Sequence, residues 1–265
     1  MKHISFESGA IRAGDCVSNA WNQMSAKFGL YLGVGLVTYI MVGCIPIVSI
    51  FLFGPVMAGF YYVSLKDMRG EPVEFGMLFR GFDKFLPLMI IGLLQSIPAI
   101  IIQILRFVSD FASLMGSGGF GSPPSRRGDF FQSSGLPDFG LSEGLMIGLA
   151  IVGVILFLIS IVWAIVFRFA IPLAMEHDLG VTDAIKLSAS AAFSNIGGII
   201  LLFLLYIVVA LLGVLALCIG IFVAIPVIWI ADAFAYRQVF PLIEQRMNFE
   251  PPPPTAYGSS FGQGL

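Results

Sequence analysis

The chain has 265 residues, of which 58% are hydrophobic and only 11% charged, with a formal net charge of -2. Soluble domains carry about a quarter charged residues, and a water-exposed surface could not be covered with so few; a bilayer removes that requirement, because lipid tails accept an apolar exterior. The acidic balance also excludes the basic footprint of a nucleic-acid-binding protein.

In chain order, residues 1–27 have no apolar core of signal-peptide length, so the chain is expected to insert through its own first span. Ile11, Val17, Ala20, Trp21 and Met24 recur at helical spacing among Arg12, Asp15, Asn19, Asn22 and Gln23. That pattern predicts an amphipathic helix lying in the membrane interface. Span one is expected over 28–44 and span two over 46–65, joined by an uncharged turn at Pro46. The polar stretch 66–84 follows, with a short interfacial helix over 73–82 whose apolar face is Phe75, Leu78, Phe79 and Phe82.

Span three is expected over 85–107. Pro87 falls in its first turn, where a missing N–H costs little, and Pro98 falls at mid-span, where a kink is expected. Residues 113–142 are rich in Gly, Ser and Pro and read as a flexible exterior loop. Span four is expected over 144–169, an amphipathic helix over 182–195 with Thr182 or Asp183 as N-cap, span five over 196–217 and span six over 219–235. The tail from Asn248, with its PPPP run, reads as disordered.

The expected fold class is therefore all-α: a polytopic transmembrane helical bundle of about six spans. Its parts are an N-terminal amphipathic interfacial helix (1–27), a first membrane half of three spans (28–112), the loop (113–142), a second half of three spans (143–247) and a Pro-rich cytoplasmic tail (248–265). Eleven of the fourteen Lys and Arg residues then lie on the side of the N-terminus. The positive-inside rule puts both termini in the cytoplasm of a bacterial inner membrane.

The two halves share an order of events: amphipathic helix, apolar span, uncharged turn, then a span containing a proline. Ala20–Trp21 and Lys27–Phe28–Gly29 align with Ser188–Ala189 and Asn195–Ile196–Gly197 at equal spacing, and Pro55 falls near Pro226. The implied repeats are parallel, related by an axis along the membrane normal.

The stretches 53–94, 169–202 and 223–240 carry a family resemblance. The run FGPVMAGFYYVSLKDMRGEPVEFG and the later WIADAFAYRQVF resemble segments of little-characterised bacterial six-span membrane proteins. They are similar to the membrane-embedded domain fused to some glycerophosphodiester phosphodiesterases. The resemblance implies a topology. It implies no reaction, since the phosphodiesterase catalytic barrel is absent from these residues.

Ionisable residues near hydrocarbon are costly and mark the places to look for chemistry. Asp232 lies toward the end of span six, with Arg237 five residues on and Arg168 at the end of span four. Asp232 is a candidate proton or cation site; alternatively it pairs with Arg168 or Arg237 and locks two spans together. Glu176, His177 and Asp178 read as a solvated helix end rather than a metal site. Arg106 and Asp110 read as a surface pair, and Arg126 and Arg127 as loop charges near headgroups.

Gly144 and Gly148 form a GxxxG that permits close helix approach. Cys16, Cys44 and Cys218 imply no disulfide framework, and no CxxC or other metal spacing occurs. No GxSxG, HExxH, phosphate-binding loop or dinucleotide fingerprint is present.

The expectation is a non-enzymatic scaffold or lipid-associated membrane module without cofactor or metal. Its partners would be membrane lipid, and other proteins or further copies of itself through the membrane helices, with no nucleic acid. The alternative is a small transporter or channel with a site between the halves near Asp232.

Overall fold

The computed structural model describes residues 4–43, 46–116, 143–216 and 219–242. Within them the fold is all-α, with no strand. The helices are α1 (Ala13–Ala26), α2 (Phe28–Gly43), α3 (Pro46–Met68), a 3-10 helix η1 (Phe75–Lys84), α4 (Phe85–Gly116), α5 (Glu143–Val166), α6 (Ala170–His177), α7 (Val181–Ser194), α8 (Ile196–Leu215) and α9 (Ile219–Val239). The expected exterior loop from residue 117, the Pro-rich tail, Cys44, Cys218, and the side chains of Arg106, Asp110, Arg126 and Arg127 lie outside the described residues.

Five stretches are long and apolar enough to cross a membrane, and the bent pair α1–α2 supplies a sixth when taken as one broken span. Hydropathy and position run in opposite directions. The least hydropathic candidates, Ser49–Met68 at 1.2 and Gly220–Val239 at 1.5, are 61% and 44% buried. The most hydropathic, Ile196–Leu215 at 3.1 and Ile151–His177 at 2.7, are each 22% buried. Helices α3 and α9 can therefore carry polar groups at the centre, while α5 and α8 present Leu, Ile and Phe outward, as hydrocarbon favours. Phe60 of α3 and Trp229 of α9 meet edge-to-face at 5.2 Å in that centre.

Helix α1 turns into α2 through 107°. Its buried stripe is Ala13, Cys16, Ala20 and Met24, and the first three are small residues that let it lie close on α9. Trp21, expected on the apolar face, points outward and is 54% exposed. Cys16 is fully buried, and its thiol donates to Gln238 Oε1 at 3.4 Å.

The α7–α8 junction repeats the local geometry of the α1–α2 junction. Helices α1 and α7 each have 14 residues, and each ends on a single residue outside helical geometry, Lys27 or Asn195. The N–H of that residue bonds three residues back, to Met24 O at 3.3 Å or Ala192 O at 3.1 Å.

Three expectations on helix ends need correction. Span four, expected over 144–169, is interrupted at its end: α5 stops at Val166, and Pro172 lies in the first turn of a new helix, where its missing N–H costs nothing. The N-cap of α7 is Gly180, so Asp183 is a first-turn residue facing the positive end of the helix dipole. The apolar face expected over 73–82 is split: the three-residue turn of η1 puts Leu78 and Gly81 against α3 and leaves Phe75 and Phe79 outside.

Glycine sets the closest approaches. A Cβ on Gly54 would collide with the carbonyl of Leu88, and one on Gly59 with the carbonyl of Leu78. The expected packing glycine Gly148 has nothing within 4 Å of its Cβ position, and the surroundings of its partner Gly144 lie outside the described residues. Among the described residues the close glycine approaches include those of α3 with α4 and η1, of α2 with α9, and of α8 with α9.

Candidate functional site

Three carboxylates sit near the end of the bundle that carries the helix bends, and each is held the same way, by a cation and a tyrosine hydroxyl. The first is Asp232 on α9. Arg168 Nη2 donates to its Oδ1, and Tyr206 of α8 donates to the same oxygen at 2.6 Å. The side chains are 22% and 14% exposed for Arg168 and Asp232, so the pair is largely withdrawn from solvent. The guanidinium lies over the Tyr206 ring at 5.5 Å, a cation–π placement.

The structure thus brings together Arg168 and Asp232, one of the two pairings open from sequence, and sends Arg237 elsewhere. Arg237 Nη2 donates to Glu176 Oε1 at 2.7 Å, and Tyr236 donates to Glu176 Oε2 at 2.6 Å. Arg69 approaches the same carboxylate at 3.5 Å. Glu176 is therefore not a solvated helix end: its side chain is 15% exposed and joins α6, α9 and the end of α3. Its neighbour Asp178 takes the left-handed conformation that ends α6, φ 54°, and pairs with Lys84.

The third carboxylate is Asp67 on α3. Lys27, at the α1–α2 bend, reaches Oδ1 at 2.5 Å. Tyr31 of α2 donates to Oδ2 at 2.8 Å and Gln23 of α1 donates to it at 3.0 Å. Gln23 also reaches Ser64 O at 3.1 Å, so one side chain ties the bend to α3. At the α7–α8 junction Asn195 plays the fastening part: it accepts from Ala10 N at 2.8 Å and donates to Glu7 O at 2.9 Å.

Arg168 is presented by the break between α5 and α6, and Ser188 of α7 makes that break affordable. Its hydroxyl accepts from Phe169 N at 2.9 Å and donates to Val166 O at 2.7 Å, satisfying two backbone groups that the helix break orphans. Ser188→Ala should cost about 1–3 kcal/mol, since it strands both groups in a buried site. A denaturant titration in detergent checks it, with exposed Ser190→Ala as the control expected to change little.

Sequence reasoning reached Asp232, Arg168 and Arg237. It missed Tyr206, Tyr236, Tyr31, Asp67 and Ser188, and misjudged Glu176. The available signal was position: each tyrosine lies within an apolar helix, where a hydroxyl needs a partner. Among the described residues no group of three or more His, Cys, Asp or Glu could hold a metal ion.

A groove of about 790 Å³ lies between α2, α3, α4 and α5, lined among others by Phe53, Gln95, Pro98 and Trp163. None of Arg168, Tyr206 and Asp232 lines it.

Comparison with known proteins gives distant relatives only. An uncharacterised protein of Mycobacterium bovis and one of Mycobacterium tuberculosis are each 29% identical to this chain over 96 residues, 36% of it. A further uncharacterised M. tuberculosis protein is 28% identical over the same length. The match covers 30% of each relative. No family model matches, and no solved structure matches. The fold and the apolar helices define the class: an all-α membrane protein with transmembrane helices.

Proposed function

We propose that the chain is a multi-pass, non-enzymatic module of a bacterial inner membrane, a scaffold or lipid-associated protein built from two related halves with both termini in the cytoplasm. The observation that carries this reading is the closed state of its most telling ionisable residue. Asp232 is occupied by Arg168 and Tyr206, and it does not line the groove between α2, α3, α4 and α5. A carboxylate that carries a proton or cation across the membrane needs an open path to one side. A carboxylate held by a guanidinium and a hydroxyl, joining α8, α9 and the α5–α6 break, suits a lock. The matching cap geometry of the two junctions, at Lys27 and Asn195, supports reading the halves as a parallel repeat.

Proteoliposomes test this directly. Proton and alkali-cation flux, followed with an internal pH dye and ion-selective electrodes, should equal that of protein-free vesicles. Asp232→Asn should change abundance and thermal stability alone. Flux above background that Asp232→Asn abolishes would establish the transport alternative instead.

A further inference from the structure

We propose that the groove between α2, α3, α4 and α5 binds one acyl chain of a membrane phospholipid. This rests on reading the chain as a membrane-embedded module, and it names what the module associates with.

The groove encloses about 790 Å³, and its walls include Ile50, Phe53, Pro98, Ile102, Trp163 and Ala164. The groove is open on one side rather than sealed, so whatever medium surrounds the helices there fills it. Water is a poor candidate, because it needs several polar partners and apolar cavities stay dry. Several polar groups on the walls are already spent, although Gln95 Oε1 is buried without a partner. Ser96 donates to Gly92 O at 2.7 Å, Ser160 to Leu156 O at 2.8 Å, and Trp163 Nε1 to Leu94 O at 2.9 Å.

The surrounding medium supplies the occupant. The walls continue into outward faces that are apolar and exposed: Ile101 is 45% exposed, Ile104 56% and Phe157 64%. In candidate spans such faces lie against hydrocarbon, so the groove opens sideways onto lipid chains. Gln103 also lines it, eight residues beyond Gln95 on α4 and thus about 12 Å further along the axis. An acyl chain seated beside Phe53 and Trp163 brings its ester group toward the Gln103 amide, whose N–H donates to an ester carbonyl.

The test uses the full chain in phosphatidylethanolamine vesicles doped with phosphatidylcholine carrying a diazirine in one acyl chain. After illumination, adducts are mapped by peptide mass spectrometry. Labelling should concentrate on Phe53, Ile102 and Ala164, several-fold above Ile155 and Phe157 on the open face of α5. Ala164→Trp, which fills the groove, should remove the excess, whereas Ile155→Trp should leave it unchanged. If Ala164→Trp fails to accumulate, co-purified phospholipid per wild-type chain in mild detergent decides, with one tightly held molecule expected. Labelling spread evenly over every exposed apolar face would overturn the site. So would a groove found cross-linked to residues 117–142 of the same chain or to a second copy. Either result would leave the scaffold reading standing, because that reading fails only on the flux measurement.

Discussion

Replacing Asp232 with Ala should lower stability by about 3–5 kcal/mol, the usual consequence of leaving one member of a buried ion pair uncompensated. Arg168 would be left with its Nε already without a partner and its Nη2 newly so, beside the ring of Tyr206. Arg168→Met should cost a similar amount by stranding the carboxylate. The triple variant Arg168→Met, Asp232→Leu, Tyr206→Phe should regain most of the loss, because well-packed apolar residues replace buried ion pairs at little or no cost. Thermal or denaturant unfolding in detergent micelles checks all three. A triple variant as unstable as the single ones would show that the charges do more than lock helices.

The second large effect separates two glycines that look alike in sequence. Gly54→Ala should cost about 3 kcal/mol, since its methyl would sit on the Leu88 carbonyl and overpacking at backbone contact is met only by driving α3 and α4 apart. Gly148→Ala meets nothing within 4 Å and should instead gain about 0.5–1 kcal/mol by relieving the entropic cost of a helical glycine. The sign difference, read from unfolding midpoints of the two variants, decides where the tight seam of the bundle lies. Equal effects would return the seam to the GxxxG on α5.

These expectations rest on features that sequence exposes unevenly. The apolar helices were legible because burial in hydrocarbon leaves a long, local pattern: the starts of α4 and α8 at Phe85 and Ile196 fall where polar residues give way to apolar ones. The bends were legible for the same reason, as amphipathic residues 13–26 and 181–194 abut uniform apolar runs. What could not be read was which helix meets which. Arg237 lies closer in sequence to Asp232 than Arg168 does, yet it sits five residues further along α9, on a different face, and turns toward α6.

Glu176 looked solvated because it opens a run of three consecutive ionisable residues, a pattern that usually marks a solvated helix end. Only the break at 167–169, bridged by Ser188 from a helix further along the chain, shows that α6 carries on into the bundle. Gly54 and Gly59 were invisible as packing residues because they match no spacing motif: each faces the backbone of a different neighbour. Helix identity is set by neighbours in sequence, and lock residues by neighbours in space.

Sedimentation without detergent bears most directly on the account, which makes acyl chains the medium around α4, α5 and α8. Stripped of lipid and detergent, the purified protein should aggregate at once, since α5 alone exposes Ile151, Val154, Phe157 and Leu158 at 55–64%. A single slow-sedimenting monomeric species in aqueous buffer would contradict it.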